Sequence, residues 1–164
     1  MRRIVLAAAL MALSAAGLDA QNPAVSSRTG TATIVIPTLL HIDVTNLTVS
    51  FPSPTFDDFT AGSIAASSGG SVIDTRGNVI HDVTIEAATA NMSGPAAKPA
   101  SDLQWSTDGS AWTGLSLTAA DVATAVARGS NANVATVLYQ MLLNETNDVP
   151  GTYSLDFIYT VVPN

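Results

Sequence analysis

The chain has 164 residues, six basic against thirteen acidic, no cysteine, and a net charge of −7. With no cluster of Lys or Arg, nucleic acid and anionic lipid are poor partners, because phosphate binding needs grouped cations. The absence of cysteine removes disulfides, thiolate metal sites and thiol catalysis together.

Arg2 and Arg3 precede an apolar run from Ile4 to Ala16, and small residues follow it. This is the order of a secretory signal over residues 1–20, with cleavage expected after Ala20 and Gly17 as the alternative. The run is too short for a membrane span. Removing Arg2, Arg3 and Asp19 leaves four basic and twelve acidic residues, a net −8. Residues 21–164 are expected to form one exported domain, in the periplasm, at the cell surface or outside the cell. That length buries roughly two-thirds of the unfolded surface, enough for a core without staples.

From Gln21 to Arg28 no periodicity is visible. TGTATIVIP (29–37) is rich in Thr, Ile and Val and reads as a strand stopped by Pro37. LLHIDV (39–44) and LTVSF (47–51) read as two more strands, the second with Leu47, Val49 and Phe51 on one face. The proline-, glycine- and serine-rich stretch 52–70 reads as a loop crossing between sheets, tacked down by Phe56 and Phe59. SVIDT (71–75) and VIHDVTIEAA (79–88), joined by Arg76-Gly77-Asn78, are expected to form a strand pair.

Residues 91–101 read as loop. Asp108-Gly109 is a tight-turn signal within 102–117, and it places Trp105 and Trp112 near each other across a hairpin. Segment 118–129 carries two signals. Thr118 with Asp121 and a closing Gly129 favours a short helix over 118–128, while Val122, Thr124 and Val126 alternate as in a strand. VATVLYQMLL (134–143) and TYSLDFIYTVV (152–162) flank a polar turn containing Asp148, Pro150 and Gly151 and are expected to pair as a hairpin. In the second run Tyr153, Leu155, Phe157, Tyr159 and Val161 share one face at period two, the mark of a half-buried strand. The whole predicts an immunoglobulin-like, antiparallel, all-β sandwich of about seven to nine short strands.

Candidate chemistry is sparse. The only histidines, His41 and His81, fall inside expected strands, and neither has helical metal-ligand spacing. No nucleophile elbow occurs. Asp57-Asp58 is the one acidic doublet and lacks calcium-loop spacing. No catalytic residue, metal or cofactor is assigned, and the chain is not read as an enzyme. Exposed indoles on a hairpin can stack on sugar rings, so Trp105 and Trp112 define a glycan-binding alternative; their other reading is core filling.

Counted back from Asn164, Val161 stands fourth, Tyr159 sixth, Phe157 eighth, Tyr153 twelfth and Gly151 fourteenth. This resembles the C-terminal strand of bacterial fimbrial subunits and related spore-coat-like secreted proteins, where a glycine opens the strand and alternating apolar residues follow. ATIVIPTLLHIDVTNLTVSF (32–51) is similar to the opening of such domains. Two features differ from that pattern: Pro163 stands where an aromatic residue is usual, and there is no disulfide. The resemblance implies a structural or surface-assembly subunit whose partners are further copies, other surface subunits or a periplasmic chaperone. It implies that Tyr153, Leu155, Phe157, Tyr159 and Val161 line a groove filled by another chain's strand. The donated segment would be Asn22 to Ile36, and head-to-tail donation would give an open filament.

Overall fold

The computed structural model describes residues 28–164, so the expected signal and the start of the mature chain lie outside the described residues. The chain divides after Val35. Of the first unit, residues 28–35 are described; they are exposed and carry no regular secondary structure, so the strand expected over 29–37 does not form.

The second unit, Ile36–Asn164, is an all-β antiparallel sandwich. Its strands are β1 (Leu40–Thr45), β2 (Ser63–Ala65), β3 (Ser71–Gly77), β4 (His81–Ala87), β5 (Asn91–Met92), β6 (Lys98–Pro99), β7 (Leu103–Ser106), β8 (Thr113–Gly114), β9 (Ala120–Val126), β10 (Gly129–Leu142) and β11 (Phe157–Pro163). One sheet runs β1-β3-β10-β7-β8, with β2 also on β10; a second runs β11-β4-β9; β5 and β6 form a small ribbon. Side chains from both main sheets meet in one core, with Ile73, Leu103, Trp105, Val137 and Tyr139 on one side and Val83, Ile85 and Ala87 on the other. Period-two alternation is clean in β3 and β4, where Ser71, Ile73 and Thr75 and then His81, Val83, Ile85 and Ala87 are all buried.

Several expectations are corrected. β3 and β4 do not pair with each other: Gly77 and Asn78 carry the chain from one sheet to the other. Asn78 fixes that crossing, its amide group donating to Pro37 O and its side-chain oxygen accepting from Leu39 N. β10 and β11 do not form a hairpin either. β10 pairs with β3, β2 and β7, whereas β11 pairs with β4, so the connection between them crosses from sheet to sheet. Each strand has a long apolar face, and placing them opposite each other buries both faces in a shared interior.

Residues 118–128 contain no helix. β9 pairs with β4 from Ala120 to Val126, and the Thr118 backbone is held in a turn by Ser116 Oγ. β-branched Val122, Thr124 and Val126 suit the strand, and β4, buried at every second residue, needs a ladder partner on that side. The loop over 52–70 holds a short helix, α1 (Phe56–Ala61), whose capping box joins Thr55 and Asp58. Phe59 is half-buried there, but Phe56 is exposed and tacks nothing down. LTVSF is not a strand, although Val49 and Phe51 still pack on the core.

Candidate assembly edge and a buried lysine cluster

Among the described residues, four strands end the two main sheets: β1 and the two-residue β8 on the first, β9 and β11 on the second. They differ in how their edges are protected. β9 carries Asp121 and a register shift, with Ala125 in the left-handed region at φ 53°. β1 presents His41 and Asp43. β11, sequence FIYTVVP, has no charge and no irregularity in its pairing with β4. Charges and bulges are the usual protection of an edge strand, and β11 lacks both.

The inward side chains of this edge are incompletely covered. Val83 and Ile85 on neighbouring β4 are 0% and 1% exposed. Tyr153, Leu155, Phe157, Tyr159 and Val161 are all only half-buried, as are Leu40, Ile42 and Val44 on β1, which lies against β11. The sandwich is therefore thin along the β1–β11 seam. Only Phe157, Tyr159 and Val161 of the five sit in the strand proper; Tyr153 and Leu155 precede it, in a stretch tied to Ser93 by the Ser154 backbone. Gly151 adopts φ 152° and packs so closely on Pro95 that a Cβ there would clash at 2.5 Å. The same face meets the opposite sheet through a tilted ring pair, Phe157 with Tyr139 at 5.5 Å, and Phe157 also packs edge-to-face on its own strand's Tyr159 at 5.9 Å, centroid to centroid.

A polar chain runs beneath those rings. Ser71 Oγ donates to Asn46 O and meets Tyr139 OH at 3.0 Å, and Tyr139 OH meets Tyr159 OH. Burial pushes both phenols above the ordinary tyrosine range; for Tyr159 the neighbouring Tyr139 adds to the effect.

The tryptophans do not make a shared platform. Trp105 on β7 lies in the core, with an indole N–H that finds no partner among the described residues, while Trp112 is half-buried just before β8. The cross-strand neighbour of Trp105 is Thr113. His81 is fully buried and satisfied: Nδ1–H donates to Val79 O, and Nε2 accepts from Thr75 Oγ1, a tautomer assigned from this network. His41 lies exposed on β1. Asp58 is occupied by the helix cap, and the Thr55 hydroxyl and backbone N–H hold its carboxyl below the usual range. Among the described residues no three metal-ligating side chains cluster, and no helix is long and apolar enough to cross a membrane.

One constellation was not expected from the sequence, which singled out Asp148 only as a turn residue. Lys98 on β6 is 4% exposed, and its Nζ donates to Asp102 Oδ2 at 2.9 Å, to Leu142 O at 2.9 Å and to both oxygens of Asp148 at 2.8 Å. It stands beside an open cavity of about 600 Å³ that Phe51, Phe59, Ile64, Met141 and Tyr153 help to line. The signal available was simple: Lys98 is the one lysine in the chain. Comparison with protein-family models, with curated proteins and with solved structures finds no match.

Proposed function

We propose that the protein is an exported structural subunit that assembles on a surface by adding a strand from one copy to the β11 edge of the next. The observation that carries this reading is the uncharged, regular edge of β11 above a half-covered apolar face. Such an edge offers unpaired backbone donors and acceptors together with pockets for alternate side chains. The donated segment is TATIVI (31–36), which is uncharged and rich in β-branched residues. Its Ile34, Val35 and Ile36 are 81%, 85% and 70% exposed. Consecutive large apolar residues at that exposure are unfavourable in water and become favourable when a partner covers them. Export rests on the basic and apolar character of residues 1–20.

Complementation tests the reading. Ile158→Lys places a charge on the β11 edge, and Ile34→Asp with Ile36→Asp spoils the donor. Each variant alone should be monomeric. Mixed, they should form dimers and stop, because only one donor and one acceptor remain intact. Full-length assembly by the Ile158→Lys variant would contradict the assignment of the edge.

A further inference from the structure

The structure assigns a covalent modification site at Lys98: we propose an intramolecular amide between Lys98 Nζ and Asp148 Cγ, with Asp102 moving the protons. Every other cation of the chain, at positions 2, 3, 28, 76 and 128, is arginine. A purely ionic clamp on a carboxylate is better made by the planar arginine fork. The single lysine sits instead at the buried position, where an amine can serve as a nucleophile.

The surroundings match what condensation requires. Nζ lies 2.8 Å from both Asp148 oxygens, which puts Cγ within about 3.5 Å, so that a rotation of the carboxyl group turns its face to the nitrogen for attack. A second carboxylate, Asp102, touches the same nitrogen at 2.9 Å. Balancing one ammonium needs one carboxylate; the second is available for proton transfer. The backbone N–H of Asn144 donates to Asp148 Oδ2 at 2.9 Å, where negative charge develops in a tetrahedral intermediate. Leu142 O accepts from Nζ at 2.9 Å and orients the nitrogen.

The reaction balances without a co-reactant. The ammonium of Lys98 passes one proton to Asp148 Oδ1, leaving an amine facing a carboxylic acid. The nitrogen lone pair forms the bond to Cγ, and the C=O electrons move onto Oδ2 beneath the Asn144 N–H. Asp102 takes one proton from the attacking nitrogen and delivers it to Oδ1, whose bond to Cγ breaks as water leaves. The product is a neutral amide and one water, with Asp102 again a carboxylate. The bond joins residues 50 apart and ties the loop after β10 to β6.

Intact-mass measurement of the folded, exported chain under denaturing conditions tests this directly. The wild type should be lighter than its sequence by one water, and proteolysis should yield a joined peptide pair carrying Lys98 and Asp148. Because no other lysine exists, the unfolded chain should offer no side-chain amine to an acylating reagent. Lys98→Arg and Asp102→Asn, checked for folding by circular dichroism, should show the full sequence mass. Asp148→Asn should lose ammonia in place of water. A folded wild type at full mass with an acylable Lys98 overturns the proposal, as does a water loss mapping elsewhere, for example to a succinimide at Asp108-Gly109. Cross-linking undiminished in Asp102→Asn overturns the role of Asp102.

Discussion

The hydroxyls of Tyr139 on β10 and Tyr159 on β11 meet at 2.5 Å across the core, joining the two sheets through a hydrogen bond that Ser71 extends to Asn46 O. Burial raises the pKa of both phenols, so neither ionises in the folded chain at the pH where a free tyrosine does. The folded values lie above the ordinary value of 10.0, which gives the direction of the effect. The contribution of the pair is complete below pH 10 and is lost as pH rises above it, by up to about 1.4 kcal/mol per unit and per tyrosine. Denaturant unfolding between pH 9 and 11.5 should show this decline, and Tyr159→Phe should make it shallower.

At acid pH the sign reverses. The Asp108 carboxyl is held well below its usual value, chiefly by the backbone N–H of Ala111, then by Ser110 and by the Ser106 hydroxyl. Asp58 is lowered by Thr55. Their contribution is therefore present above the unfolded value of 3.8 and lost as pH falls below it. Asp108→Ala should lower the melting temperature at pH 6 and narrow the gap to wild type at pH 2.

Ala125 is the one residue other than asparagine and glycine at positive φ among the described residues, with φ 53°, and its N–H donates to Asp82 Oδ1 at 2.7 Å. A Cβ is disfavoured there by about 1–2 kcal/mol, so Ala125→Gly should stabilise the fold by about 0.5–1 kcal/mol after the added unfolded-state entropy. Asp82→Ala removes the acceptor for Ala125 and for Asn164 Nδ2, and should loosen β9 and the C-terminus together. Urea unfolding and amide exchange check the two variants.

Asp148→Ala takes away the main partner of buried Lys98 and the acceptor for Asn144 N. Asp102 still balances the buried ammonium at 2.9 Å, so the loss is that of the Asp148 contacts and of the Asn144 acceptor, about 1–3 kcal/mol. The melting temperature should drop accordingly, and the 144–151 loop should become the first site of proteolysis.

Much of the fold is legible in local patterning, and the failures share a cause. Alternation exposes β3, β4 and β11 because one face of each is buried. In β4 the pattern is blurred only by His81, a polar residue whose partners, Thr75 and Val79 O, are supplied by the fold. Sheet membership is not local. Arg76-Gly77-Asn78 and residues 144–151 look like hairpin turns, yet both carry the chain between sheets, a choice made by the facing apolar surfaces. Segment 118–128 carries a capping-box and glycine-stop signal that favours a short helix beside a strand-like alternation, and the ladder on β4 decides for the strand. Of the row of five apolar residues legible in the sequence, Phe157, Tyr159 and Val161 lie in β11 and Tyr153 and Leu155 precede it. The meeting of Lys98 with Leu142 O and Asp148 was not legible, because contacts over 44 and 50 residues have no periodic signature.

The central claim is that β11 receives a strand from another copy. Light scattering after size-exclusion chromatography of residues 21–164, over a hundredfold dilution, tests it most directly. The account predicts a ladder of oligomers that persists on dilution and collapses to a monomer in Ile158→Lys. A wild-type chain that is a folded monomer at every concentration would contradict it.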